Sequence, residues 1–174
     1  MKKIIVVIIG LVVIGCKSKQ AAQEDLKLSR FEIDFMLNSW HHAAAEANFN
    51  NYFNAMTDDA IFIGTDATEN WNKSAFIQFA KPFFDKGKAW NFSALERNIY
   101  FSSDKKTAWF DELLNTQMKI CRGSGVLVLD ENGNWKIKQY VLSMTIPNDH
   151  TDEVVKIKSL IEDKEIEKLK NKTK

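Results

Sequence analysis

The 174-residue chain is poor in the residues that mark specialised protein classes. It has two prolines and seven glycines, which excludes a collagen-like or low-complexity polypeptide. It also lacks an excess of one charge, because 24 Lys and Arg stand against 23 Asp and Glu. With scattered lysines and a net charge of +1, it offers no attraction toward phosphate backbones, so no nucleic-acid partner is expected. The 45% of hydrophobic residues fits one compact domain.

A short hydrophobic run lies at the N-terminus. Met1-Lys2-Lys3 precedes the apolar residues 4–14, and a polar stretch begins at Lys17. The run is about half the roughly 20 residues that cross a bilayer, so a permanent transmembrane helix is disfavoured. A basic start, a short apolar stretch and a polar continuation predict a secretory signal peptide over residues 1–15.

The end of the predicted signal and the residue after it read Val13-Ile14-Gly15-Cys16, which resembles the bacterial lipobox. The alternative is a chance cysteine in an ordinary signal peptide. The resemblance implies that Cys16 carries the lipid that anchors the protein in the membrane, and that residues 16–27 form a tether. By resemblance to Gram-negative sorting rules, Lys17 after the cysteine favours the outer membrane, facing the periplasm. Since Cys121 is then the remaining thiol, no disulfide is expected within the domain.

Apolar periodicity divides the rest of the chain into helices and strands. Spacings of three and four residues predict helices over 28–47, 48–56 and 74–86. A short apolar run predicts a strand over 60–64, followed by a loop over 65–72. Segments rich in β-forming residues predict four more strands over 90–101, 107–120, 123–129 and 135–145. Helices and an early strand followed by an antiparallel meander are typical of the α+β class. Residues 149–174 are predicted to be a charged C-terminal helix or tail.

The amino-acid sequence of these segments resembles a SnoaL-like domain of the nuclear transport factor 2-like superfamily. The resemblance covers residues 28–148 and rests on Trp40-His41, Tyr52-Phe53, residues 59–66, Trp71, residues 109–112, residues 123–127 and residues 135–140. It implies a cone-shaped, curved antiparallel sheet wrapped around three N-terminal helices. Because members include isomerases, cyclases, dehydratases and non-catalytic binding modules, the fold leaves the function open.

Three residues are candidates for catalytic chemistry. His41 and His42 point about 100° apart on one helix, so only one can face a site. His42 continues the Phe31 and Phe35 stripe and is predicted to be core, which leaves His41 as the pocket candidate. Asp66 follows the first strand, two residues beyond the position of the general base in steroid isomerase-like relatives, and is equally suited to capping a turn. Asp111, in the middle of a strand, is either a pocket acid or part of a buried ion pair with Arg122.

The predicted ligand-binding residues are His41, Trp71, Trp109, Asp111 and Tyr140, which combine flat apolar surfaces with polar groups. The sequence carries no metal-ligand spacing, phosphate loop or dinucleotide motif, so no metal and no cofactor are expected. The favoured function is a non-catalytic binding module for a small apolar or amphipathic molecule. An isomerase or dehydratase with a carboxylate base, and a dimeric accessory lipoprotein that pairs through its sheet, are the alternatives.

Overall fold

The computed structural model describes residues 5–172 of the chain. Part of the predicted signal peptide, residues 1–4, lies outside this range. The side chain of Cys16, like those of its neighbours up to residue 20, also lies outside the description. Within residues 5–172, no helix combines the length and apolar character needed to cross a membrane.

The described chain contains four α-helices and six strands. The helices are α1 (Ile5–Ala45), α2 (Phe49–Asn54), α3 (Lys73–Asp85) and α4 (Thr151–Lys172). The strands are β1 (Met56–Ile63), β2 (Asn70–Asn72), β3 (Ser93–Phe101), β4 (Thr107–Thr116), β5 (Lys119–Leu129) and β6 (Trp135–Met144). The predicted α+β fold is confirmed: helices come first, and a curved sheet follows.

The six strands form one sheet in the order β2-β1-β6-β5-β4-β3. The predicted meander is present in β3 to β6. The structure adds one parallel pairing to the antiparallel sheet, because β1 runs parallel to β6. Residues 65–72 were expected to form a loop. Instead Asn70, Trp71 and Asn72 pair antiparallel with the end of β1 and form the edge strand β2.

Helix α1 buries one of its two apolar stripes. Ile33, Leu37, Trp40 and Ala44 are at most 2% exposed and lie at the spacing of one helix face. The neighbouring stripe of Leu28, Phe31, Phe35 and His42 is exposed. The expectation that His42 belongs to the core is therefore wrong, since its Nδ1 lies 3.2 Å from the carboxylate of Glu46 at the surface. His41 follows Leu37 by four residues and is the buried histidine.

Helix α3 carries aromatic side chains into the core beside the end of β1. Asn72 caps its N-terminus by accepting a hydrogen bond from the Ala75 amide at 2.9 Å. Gly87 follows the helix with a φ of 70°, which suits the left-handed conformation that ends helices. The ring of Phe76 stacks on Phe62 of β1, with centroids 3.9 Å apart, so the helix is fixed against the sheet.

Strand β6 changes face in its middle. Trp135, Ile137, Tyr140 and Leu142 are buried, so strict alternation breaks between Ile137 and Tyr140. The pairing of β1 with β6 shifts register beside this point. Such an irregularity redirects side chains, and here it turns the Tyr140 ring into the core.

The chain divides into a unit that ends at Ser143 and a second unit from Met144 onward. The second unit contains a short 3-10 turn, Asn148–His150, and helix α4. The prediction for residues 149–174 was a charged helix or tail, and α4 lies within that range. Its apolar side chains, including Ile157, Leu160 and Ile161, are exposed within this unit.

Candidate functional site

A carboxylate lies at the centre of the core. Glu112, on the inner face of β4, is 1% exposed. Its Oε1 accepts a hydrogen bond from the Tyr140 hydroxyl at 2.9 Å and lies 2.9 Å from His41 Nε2. Its Oε2 accepts two hydrogen bonds from Arg97, from Nε at 2.9 Å and from Nη2 at 2.7 Å. Helix α1 and strands β3, β4 and β6 therefore meet at one side chain.

Arg97 extends this network to the surface. Its side chain is 3% exposed, and its Nη1 donates to the carboxylate of Asp34 at 2.6 Å and to Asn38 Oδ1 at 2.9 Å. Asp34 and Asn38 lie one turn apart on α1. The guanidinium thus joins α1 to the sheet and forms ion pairs with two carboxylates.

Gly123 leaves the space that this network occupies. It lies opposite Glu112 in the β4–β5 pairing. A Cβ at position 123 would overlap the Tyr140 hydroxyl and lie 2.8 Å from Glu112 Oε1, closer than real Cβ atoms approach other atoms. The glycine at this position is required by close packing, and no turn is involved.

The surroundings of Glu112 keep it ionised. Burial alone raises the pKa of the Glu112 carboxyl, but the hydrogen bond and charge of His41, together with Arg97, outweigh burial and hold the pKa below its usual value. Burial and the neighbouring Glu112 raise the pKa of the Tyr140 hydroxyl. The phenol therefore keeps its proton and donates a hydrogen bond to the carboxylate. With both oxygens occupied and no access to solvent, Glu112 cannot abstract a proton from a ligand.

The structure brings together two of the predicted site residues and separates a third from them. His41 and Tyr140 converge, with ring centroids 6.3 Å apart, but they meet Glu112. Asp111 was expected to face the pocket or to pair with Arg122. It lies on the opposite face of β4, partly exposed, where its carboxylate accepts a hydrogen bond from the Asn98 amide at 3.2 Å. The reason is alternation, because neighbours on a strand point to opposite faces.

Asp66 and Trp109 also lie away from the pocket. Asp66 accepts hydrogen bonds from the backbone and hydroxyl of Thr68 at 2.9 and 2.6 Å, which is the turn-capping arrangement weighed for it. Trp109 is 46% exposed on the outer face of the sheet, where its ring stacks on Tyr100. Neither side chain lines the pocket described next.

An open pocket of about 170 Å³ lies between α3 and the inner face of the sheet. Aromatic rings form most of its wall, and the remaining lining is mostly small or polar. The lining residues that the argument uses are Phe62, Glu69, Trp71, Phe76, Trp90 and Phe92. Trp71 is thus the predicted ligand-binding residue that the structure places at a cavity. The pocket is large enough for one aromatic ring, since a cavity of about 150 Å³ holds benzene.

Glu69 is the carboxylate at this pocket. It is half-buried in the connection between β1 and β2. Its Oε2 accepts a hydrogen bond from the Asp66 amide at 3.1 Å. The adjacent Gly64 amide donates to the Glu69 carbonyl at 2.9 Å. Any side chain at position 64 would overlap the Glu69 carboxylate, so this glycine gives the carboxylate its place.

The sequence reading missed Arg97, Glu112 and Glu69. A signal was present for Glu112, because it shares a strand face with Ala108, Phe110 and Leu114, all of which are buried. A charged residue on an apolar face needs a partner, and the guanidinium of Arg97 on the next strand is that partner. Glu69 gave no such signal, since it lay in a predicted loop.

Replacing Glu112 is expected to destabilise the domain far more than replacing its neighbour Asp111. Glu112→Gln removes the charge that balances the buried Arg97 and should lower the free energy of unfolding by about 3 to 5 kcal/mol. Asp111→Asn makes the same chemical change at the outer face and should cost less than about 0.5 kcal/mol. Urea unfolding of the two variants measures both values, and equal losses would contradict the assigned network.

The stabilisation that Glu112 provides should weaken in acid. Because the folded-state pKa of Glu112 lies below that of the unfolded chain, its stabilisation is complete above about pH 4.3 and is lost as the pH falls through the lower, folded-state value. The difference in unfolding free energy between wild type and Glu112→Gln, measured by urea unfolding, should therefore shrink below about pH 4. A difference that stays constant as the pH falls would contradict the assigned network.

Comparison with solved structures shows that the fold is shared with proteins from bacteria. An NTF2-like protein of unknown function from Pseudomonas putida KT2440 superposes with a TM-score of 0.59 at 12% identity, over 71% of this chain and 91% of that one. An NTF2-like protein from Cytophaga hutchinsonii ATCC 33406 gives 0.55 at 17% identity, over 67% and 98%. A protein from Catenulispora acidiphila in complex with S-DNPA gives 0.54 at 16% identity, over 67% and 93%.

Sequence comparison adds the family. No curated protein matches the chain in sequence. The sequence profile of the SnoaL-like domain matches residues 33–147, which is more than half of the chain and contains α2, α3 and all six strands. The chain therefore belongs to the SnoaL-like domain family.

Proposed function

We propose that this SnoaL-like domain binds a small ligand with an apolar body in the pocket beside α3, without catalytic turnover. The observation that carries the proposal is the aromatic wall of a pocket of about 170 Å³. Aromatic surface gives an apolar ligand its largest gain on leaving water. The Catenulispora acidiphila protein of this fold was solved in complex with S-DNPA, which supports ligand binding as a use of the fold.

The absence of turnover is inferred from where the titratable groups lie. Isomerases and dehydratases need a base and an acid that both reach the ligand. Among the described residues that line the pocket, Glu69 is the single charged one. His41 and Tyr140, which were predicted to face a pocket, are engaged with Glu112 in the core.

An enzyme that uses Glu69 as its base is the second candidate, and the position of this carboxylate at the pocket favours it. Such an enzyme would remove a proton next to a carbonyl group. Deuterium exchange into cyclohexanone, present in the wild type and lost in Glu69→Gln, would distinguish this enzyme from a binding module.

We also propose that a lipid on Cys16 anchors the domain in the cell envelope, at the outer membrane facing the periplasm. The proposal is supported by the order of basic, apolar and small residues that ends at Cys16. Stable attachment through acyl chains needs no basic patch on the protein surface.

The outer face of the sheet supports a further proposal, pairing with a second copy. Tyr100 and Trp109 are each 46% exposed and stack there with centroids 6.0 Å apart. Leu95 and Ile120 add exposed apolar side chains toward the other end of β3 and of the β4–β5 pair. Exposed aromatic and aliphatic side chains on a sheet face are typical of interfaces.

The pocket is tested by replacing one tryptophan on each face of the sheet with alanine. Trp71→Ala removes a wall of the pocket and should weaken the binding of benzyl alcohol, a single-ring probe, by about tenfold. Trp109→Ala removes the same side chain from the outer face and should leave the affinity unchanged. Isothermal titration calorimetry gives both constants, and a wild type that binds no probe contradicts the proposal.

The sheet interface is tested by charge. Trp109→Glu places a carboxylate in the proposed contact and should yield a monomer at protein concentrations where the wild type sediments as a dimer. Trp71→Ala, at the pocket, should remain dimeric. A monomeric wild type in analytical ultracentrifugation would exclude the interface.

The anchor is tested by comparing the two cysteines. Cys16→Ser removes the only thiol that the proposal assigns to lipid, so the chain should lose labelling by an alkyne-tagged fatty acid in growing cells. Cys121→Ser changes the buried cysteine of β5 and should label like the wild type. Labelling that survives in Cys16→Ser overturns the proposal.

A further inference from the structure

The pocket has an uncompensated charge. Of the described residues that line it, Glu69 alone is charged, and the others are aromatic, aliphatic or neutral polar groups. The Glu69 Oε2 has one protein donor, the Asp66 amide, and the described protein provides none for Oε1. A neutral apolar ligand would cover this carboxylate and displace the water that hydrogen-bonds to it. Because the ligand offers no hydrogen bond in return, this displacement costs free energy. An anionic ligand would add repulsion.

The loop between β1 and β2 holds the carboxylate in place. The Gly64 amide donates to the Glu69 carbonyl, and the Glu69 amide donates to the Asp66 carbonyl at 3.0 Å. Together with the hydrogen bond from the Asp66 amide to Oε2, these contacts fix both the backbone and the side chain of Glu69. A carboxylate that is already ordered loses little conformational entropy when a ligand pairs with it.

Two tryptophans stand at the same pocket. Trp71 and Trp90 are half-buried, and each stacks on Phe76, with centroids 5.8 and 5.9 Å apart. Both therefore present part of an indole to whatever fills the pocket. Among the aromatic side chains, indole attracts a cation most strongly through the negative face of its ring.

We infer that the pocket takes a small organic cation, a protonated amine or quaternary ammonium group attached to one apolar ring or short chain. The cation neutralises Glu69, its substituents lie against Trp71 and Trp90, and the volume of about 170 Å³ limits the apolar part to one ring. This inference rests on the proposed binding function and adds the charge of the ligand to it.

The test compares three probes of similar size that differ in charge, titrated into the purified full-length chain by calorimetry at pH 7. Benzylammonium should bind at least about tenfold more tightly than neutral benzyl alcohol, and benzoate should bind least. The advantage of benzylammonium should fall as salt is added, because its pairing with a half-buried carboxylate is partly screened.

The source of the preference is tested by two matched variants. Glu69→Gln keeps an oxygen that can accept the hydrogen bond from the Asp66 amide but removes the negative charge. Benzylammonium and benzyl alcohol should then bind with similar affinity. Glu131→Gln removes an exposed carboxylate in the β5–β6 turn and should leave the preference intact.

The outcomes separate this inference from the proposed function. Equal binding of benzyl alcohol and benzylammonium to the wild type would overturn the cation and leave the apolar pocket standing. A preference for benzylammonium that survives in Glu69→Gln would overturn the assignment to Glu69. Failure of all three probes to bind would overturn the proposed function itself, and the inference with it.

Discussion

A carboxylate without access to water must be matched by positive charge and hydrogen bonds, and the arrangement of this domain follows from that requirement at Glu112. Strand β3 must place Arg97 beside it, helix α1 must bring His41, and β6 must change face so that Tyr140 points inward. Strand β5 must have a glycine at position 123, because a Cβ there would overlap Tyr140 and Glu112. Apolar packing tolerates small shifts between elements, whereas this set of hydrogen bonds fixes their relative positions to within tenths of an ångström.

Two rings separate this network from the pocket. Phe62 stacks on Tyr140, with centroids 5.6 Å apart, and Phe92 lies against His41 at 6.0 Å. Both also line the pocket, so the core carboxylate and the pocket lie on opposite sides of one aromatic layer. The two carboxylates therefore have different surroundings. Glu112 is buried among its partners, and Glu69 lines the pocket.

The sequence predicted the fold well and the site poorly, for physical reasons. Apolar periodicity located the helices and the meander because burial on one face repeats along the chain. It did not separate the two stripes of α1, since Phe31 and Phe35 are as apolar as the buried Leu37. Nor did it show that β1 pairs with β6, because pairing between distant strands leaves no local pattern.

The site depended on the same kind of distant information. Asp111 and Glu112 are adjacent carboxylates, and the sequence reading chose the one that faces outward. Strand register decides which face is buried, and a shift of one residue exchanges the two. Glu112 pairs with Arg97 across strands. Glu69 and Trp90 line the same pocket from distant segments, so neither arrangement is visible from spacing along the chain.

The parallel pairing of β1 with β6 also constrains the order of folding. Strand β6 lies between β1 and β5, so the hairpin of β1 and β2 has no link to the rest of the sheet until residues 135–144 are in place. Contacts so far apart in the chain form late and slowly, because a long loop must close before they contribute. A growing polypeptide that has not yet reached β6 therefore cannot complete this sheet.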